Sequence, residues 1–222
     1  MVARPQTVSA ASLGEAWLGV AGRILAAGAP ARYDGLPIAE LAHVTLEIAG
    51  PDPDDPLIAA HGDPDRLAWM RANFNDRARV AALGDTDSYA TRLYDYGRAG
   101  RDQVAWVIDR LRHDPTSRSA TITTFQPLTD TSYIPCVSML DFWLRGGPTE
   151  EQRLELIVYA HSLDFGKKAY GNLVELAHLA EHVAGELGRP VGPLVVHAKS
   201  AHVYEPEWAL MAELCSSSSA RA

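Results

Sequence analysis

Residues 12–27 set Leu13, Trp17, Val20, Ile24 and Leu25 at helical spacing. The pattern predicts an amphipathic helix with Ser12 as N-cap and Gly28 as its stop. Residues 41–48 change to a period of two, Ala42, Val44, Leu46 and Ile48 alternating with His43, Thr45 and Glu47, which predicts a half-buried strand. Gly50-Pro51-Asp52-Pro53-Asp54-Asp55-Pro56 follows, and its prolines fix φ and remove donors, so an exposed acidic loop is expected. Residues 101–112 return to helical period through Val104, Val107, Ile108 and Leu111, and Asp114-Pro115 ends the run. Strand-like segments come next at 120–125, 137–144 and 154–159, with Gly146-Gly147-Pro148 as a turn between the last two. A helix over 173–187 shows Leu173, Leu176, Ala177, Ala180, Val183, Ala184 and Leu187 on one face, closed by Gly188 and Pro190, and residues 194–203 read as a strand. Strands and helices alternate without a βαβ rhythm, which predicts the α+β class.

Composition narrows the possibilities. With 222 residues and 47% apolar side chains the chain can bury one large core, so a single domain over residues 1–215 is expected, with the serine tract inside a flexible tail at 216–222. Twenty basic against 28 acidic residues give a net charge of −8, which argues against a nucleic-acid groove. No apolar run reaches the length of a membrane span, and the first residues do not form a charged leader, so a cytoplasmic protein with no membrane partner is expected. Cys136 and Cys215 are the only cysteines, too few for a disulfide framework, and each is judged on its own chemistry.

Two motifs compete for the chemistry. His178-Leu179-Ala180-Glu181-His182 matches the H-x-x-E-H pattern of inverted zinc peptidases. Helical geometry turns both imidazoles away from the apolar stripe, so a solvated face is expected and no metal site. The other signal is distributed: Pro135-Cys136 beside a strand, His161-Ser162-Leu163-Asp164, then Asn172, then His202-Val203-Tyr204. Each piece alone is weak, since a single cysteine is commonly an inert buried thiol; order and spacing together are more specific.

From Tyr96 to Trp208 these pieces resemble the thymidylate synthase superfamily, including its short divergent members and the pyrimidine hydroxymethylases. Tyr96-Gly97, Asp102-Gln103 and Asp114-Pro115-Thr116-Ser117-Arg118 are similar to segments of that family, and Cys136 stands where its nucleophile stands. His161-Ser162-Leu163-Asp164 and Asn172 resemble its Arg-Ser-x-Asp and asparagine pair, and His202-Val203-Tyr204 its His-x-Tyr segment. Glu40-Leu41 resembles its catalytic Glu-Leu.

The resemblance implies a mixed sheet packed with helices and a homodimer formed through the sheet, in which Arg118 reaches the neighbour's phosphate site. It implies a folate-dependent transfer of a methyl or hydroxymethyl group to a uridylate-type pyrimidine, with 5,10-methylenetetrahydrofolate as co-substrate. Cys136, Glu40 and Tyr96 are the implied catalytic residues. Arg118, His161, Ser162, Asn172, His202 and Tyr204 are the implied substrate contacts, and Asp164 faces the folate. The chemistry is coherent on its own terms, because C5 of a pyrimidine is a poor nucleophile until a thiolate adds at C6. A carboxamide at Asn172 offers both a donor and an acceptor, suited to O4 and N3–H of uracil. This chain departs from the family at His161 and Ser119, where arginines are usual, and at Val137, where histidine is common. The fate of the one-carbon group, the sugar and the presence of a 5′-phosphate stay open, as does a non-catalytic pyrimidine-binding protein of the same fold.

Overall fold

The structure is a computed structural model describing residues 5–131, 133–146 and 151–219. It opens with β1 (Gln6–Ala10), α1 (Leu13–Ala27), β2 (Ala29–Tyr33) and β3 (Leu36–Ile48), then α2 (Pro56–His61) and α3 (Pro64–Asn75). A small hairpin of β4 (Arg79–Val80) and β5 (Thr86–Asp87) precedes α4 (Tyr89–Tyr94) and α5 (Gln103–His113). Strands β6 (Thr121–Thr123), β7 (Val137–Arg145), β8 (Arg153–Ala160) and β9 (Leu163–Asp164) lead to α6 (Ala169–Leu187), β10 (Val191–Tyr204) and α7 (Trp208–Ser219).

The main sheet runs β1-β3-β10-β8-β7-β6, with β2 added on β3 and β9 on β10. It is mixed: β10 is antiparallel to β3 and parallel to β8, and β1 is parallel to β3. The α+β expectation holds at that level, but the absence of βαβ units does not. All three parallel pairs are joined through a helix, α1 for β1 and β3, α6 for β10 with both β8 and β9, because a parallel partner needs a crossover. Neither unit repeats, so no rhythm marks them in the sequence.

One face of the sheet makes the core. Val44, Leu46 and Ile48 of β3, Leu194, Val196 and Ala198 of β10, and Leu154, Leu156 and Val158 of β8 are buried beneath α1 and α6. The alternation expected in β3 slips at one place. His43 takes φ 57° and the pair His43–Lys199 is missing from a ladder whose register is otherwise unbroken, and beyond this kink Leu41 and Ile38 turn inward in place of Ala42. Helix α6 begins at Ala169, a turn earlier than its apolar stripe indicates, because its first turns are buried on all sides among α1, α3 and α5. Gly171 permits that crowding, since a Cβ there would lie 3.2 Å from Cβ of Met70.

One loop expectation needs correction. Asp55, in the proline-rich segment expected to be exposed, is only 2% exposed. Its carboxylate caps α2 through the amides of Leu57 and Ile58 and also accepts the amide of Gly14 at 2.8 Å, tying α2 to α1. Burial pushes this carboxyl up, and the backbone donors outweigh burial and leave it below the usual range. Helix α7 runs into the serine tract as far as Ser219, and Ser216 and Ser217 bond back to the carbonyls of Glu213 and Leu214. The rest of the expected tail, and the turn residues Gly147 and Pro148, lie outside the described residues. Among the described residues no helix is long and apolar enough to cross a membrane.

Replacing Asp55 with alanine removes a cap and leaves a buried amide unpaired. Unfolding in urea is expected to show a loss of about 1–3 kcal/mol; an unchanged midpoint would remove Asp55 as the tie between α1 and α2.

Candidate functional site

β10 changes partner halfway along. Residues 195–198 pair with Ile157–Ala160 of β8, and Ala201 and His202 pair with Leu163 and Asp164 of β9. His161 and Ser162 bridge the handover. The amide of His161 donates to the Cys136 carbonyl at 3.0 Å, fixing the residue that precedes β7. Ser162 is buried, its Oγ 3.4 Å from Nδ1 of His202. On the other edge of β10, His202 faces Glu40 of β3, so Glu40, His202 and Asp164 lie side by side across three strands.

Asp164 starts the turn into α6, accepting the amides of Gly166 at 3.0 Å and Lys167 at 3.2 Å. Trp17 of α1 braces this turn, its indole N–H donating to the Phe165 carbonyl at 2.8 Å. The turn delivers Lys168, whose charge acts on Cys136, Asp164 and His202 together. One helical turn on, Asn172 is 3% exposed; its amide donates to the Lys168 carbonyl and its Oδ1 is buried without a partner. Nε2 of His202 is likewise buried and unpaired.

Burial drives the titrating groups here toward neutrality. It pushes the Cys136 thiol up, opposed by Lys168 and by a hydrogen bond from the Tyr133 side chain, with Asp164 adding to the rise. It raises the Asp164 carboxyl, against the two backbone donors and Lys168. It lowers His202 to about 4, against the carboxylates of Glu40 and Asp34.

The other expected residues fall in different places. Glu40 is half-buried and accepts from the Ser200 hydroxyl. Tyr204 packs edge-on to His202 at 5.1 Å, its hydroxyl 3.5 Å from Asp34. His161 turns its ring toward the Ile134 carbonyl, 3.3 Å away. The Tyr96 hydroxyl donates to the Phe125 carbonyl at 2.8 Å, and its charged neighbours are Asp130, Arg92 and Arg101. Arg118 is not brought to Cys136: it stacks over Trp143 at 5.0 Å, six residues along β7 from Val137, roughly 20 Å at strand rise. His178 of the H-x-x-E-H segment lies with Nε2 2.7 Å from the guanidinium of Arg71.

Several residues were missed. Tyr133, Tyr89 and Tyr33 all interact with Cys136. Tyr33 and Asp34 arrive on a two-residue hairpin between β2 and β3, Asp34 and Gly35 both at positive φ. The signal was present, because Asp-Gly between apolar runs is the mark of such a turn.

The family profile described as thymidylate synthase matches residues 65–221. The chain belongs to the thymidylate synthase family. A Methanosarcina acetivorans protein named "Putative thymidylate synthase" is 33% identical over 152 residues, 65% of this chain and 67% of its own length. A protein of the same name from Methanopyrus kandleri is 30% identical over 214 residues, 92% of this chain and 95% of its own. The deoxyuridylate hydroxymethyltransferase of Bacillus phage SP01 is 34% identical over 142 residues, covering 61% of this chain and 34% of the phage protein. Glu40 precedes the span matched to the thymidylate synthase family, and the other expected site residues lie inside it.

The low position of His202 carries a sign. Folding favours the neutral ring, so its contribution is complete above about pH 6.5 and is lost as pH falls toward 4, on the order of 3 kcal/mol. Wild type is expected to lose that much more stability than His202→Gln between pH 7 and pH 4; parallel curves would contradict the burial of a neutral imidazole.

Proposed function

We propose that this chain transfers a one-carbon unit to C5 of a uridylate-type nucleotide, with Cys136 as the nucleophile at C6. The observation that carries the reading is Cys136 beside Lys168, together with two buried polar atoms that lack partners, Asn172 Oδ1 and His202 Nε2. Unpaired buried groups cost free energy, and a ligand that pairs them recovers it. Oδ1 of Asn172 suits N3–H of uracil, and the amide hydrogen not given to Lys168 suits O4. Cytosine, with an acceptor at N3, pairs badly there.

Addition of the Cys136 sulfur to C6 makes C5 enolate-like; C5 then bonds to the one-carbon unit and loses its proton, hydride from the folate (to methyl) or water (to hydroxymethyl) completes the unit, and expulsion of the sulfur restores the ring. Methylenetetrahydrofolate, the co-substrate of the thymidylate synthase family, supplies the one-carbon unit. A cleft of about 420 Å³ lined by Trp69, Met70, Leu83, Lys168 and Tyr170 fits a flat bicyclic donor, and Asp164 closes the turn at its edge. His202 and Tyr204 hold the sugar, His161 and Ser162 its phosphate end. Glu40 relays protons through water and Tyr96 assists at C5. One domain over residues 1–215 carries these parts. Arg118 serves the phosphate of a second copy in a homodimer, which the distance from Cys136 within the chain supports. The sheet face opposite the helices, with half-exposed Met139 and Tyr159, is the surface the second copy covers.

A second reading is favoured by one observation, the upward push of burial on the Cys136 thiol: a pyrimidine-binding protein without chemistry. Tritium release from C5-labelled deoxyuridylate with methylenetetrahydrofolate separates the two. Release is expected, lowered on the order of a thousandfold or more in Cys136→Ala, and Asn172→Asp is expected to shift preference toward deoxycytidylate. Nucleotide binding with no release from any pyrimidine tested favours the binding protein.

A further inference from the structure

Cys136 stands at the start of an irregular stretch of strand. Val137 pairs with Ala160 and Met139 with Tyr159, so β7 carries one residue more than β8 here, a bulge immediately after the cysteine. On its other edge the pairing with β6 ends at Thr123 and Met139, which leaves Val137 without a strand partner there. Side chains take its backbone groups instead. The Thr124 hydroxyl donates to the Val137 carbonyl, and the Val137 amide donates to the Tyr89 hydroxyl oxygen at 3.0 Å. The Cys136 carbonyl, at the opposite end of the same peptide unit, accepts the His161 amide at 3.0 Å.

The bonds from His161 and to Tyr89 hold one rigid plate. A peptide group is planar, so fixing both its oxygen and its N–H restricts rotation about the Cα–C bond of Cys136 and with it the direction of Sγ. Tyr89 is itself firmly mounted at 5% exposure: its amide donates to Oδ1 of Asn73 at 3.1 Å and its ring stacks on Phe74 at 4.4 Å, both residues of α3. The His161 end of the clamp is backbone and independent of the side chain, whereas the Tyr89 end is one hydroxyl oxygen.

Resting on the reading of Cys136 as nucleophile, we propose that Tyr89 is a positioning residue: its oxygen clamps the peptide unit after Cys136 and so aims the sulfur at C6. As the S–C6 bond forms, the C5–C6 π pair moves onto C5 and O4, and sulfur must approach from above the ring plane. A misplacement of about 1 Å in such an approach costs about a hundredfold in rate. Without the Tyr89 oxygen the buried Val137 amide is unpaired, and the segment shifts to recover a partner. Tyr89 acts through backbone geometry, so it governs the direction of attack and not the supply of thiolate.

The test compares two reactions of the same sulfur in wild type and in Tyr89→Phe, which keeps the stacked ring and removes the acceptor. Alkylation by iodoacetamide, followed in a Cys215→Ser background where Cys136 is the only thiol, needs thiolate but no fixed approach, and its rate is expected to change less than about twofold. Covalent addition to a 5-fluoro analogue of deoxyuridylate with methylenetetrahydrofolate is expected to slow about a hundredfold, with nucleotide affinity unchanged. Equal slowing of both reactions, or adduct formation at the wild-type rate, overturns the proposal. A second measurement needs no Tyr89 variant: the Val137 amide of wild type is expected to exchange with deuterium as slowly as the paired amides of β7, and fast exchange overturns the clamp. The two failures are separable. Wild type that forms no adduct rejects the transferase, and the positioning role falls with it, whereas wild type that reacts while Tyr89→Phe keeps pace rejects Tyr89 alone.

Discussion

The handover along β10 is the constraint on which the site depends. A central strand must pair its backbone groups on both edges, and β3 accompanies β10 through Tyr204 while β8 stops at Ala198 and β9 begins at Ala201. At the gap individual groups fix the chain. The His161 amide goes to the Cys136 carbonyl, and the Ser162 hydroxyl meets His202. Because regular pairing resumes on both sides, these groups cannot drift without breaking strand hydrogen bonds. The break in the sheet is thus a rigid place for irregular chemistry.

Burial then sets the electrostatics. The carboxyl of Asp164 and the thiol of Cys136 are pushed up and the imidazole of His202 down, each in the direction of its neutral form, and the charge of Lys168 acts on all three. Such a site is built from donors and acceptors more than from ion pairs. It keeps an unpaired acceptor on Asn172 and an unpaired nitrogen on His202. The ion pair Arg92–Asp130 is buried and bidentate, and it holds the loop before Cys136.

Much of this was legible in the sequence where a residue's role is written in local pattern. The Ser12 cap and Gly28 stop of α1, the stripe of α5 and the alternation of β7 and β8 lie where periodicity put them. Ser162, Asp164, Asn172, His202 and Tyr204 sit along one stretch of β9, α6 and β10, so their spacing survives folding. What failed depends on contacts distant in sequence. The positive-φ kink at His43 inverted the expected facing of Ala42, and Asp55 in a loop of prolines found α1. Tyr89 and Tyr33 act on Cys136 from segments distant in sequence, and only for Tyr33 did a local signal, the Asp-Gly turn, exist.

The central claim is that the Cys136 sulfur bonds to a pyrimidine ring carbon. A 5-fluoro analogue of deoxyuridylate cannot lose its C5 substituent as a proton, so the adduct made with methylenetetrahydrofolate should persist. Peptide mass spectrometry of the protein after incubation with both is expected to find the nucleotide and the one-carbon donor together on the peptide containing Cys136. Intact protein with an unmodified Cys136, or label carried by another residue, would contradict it.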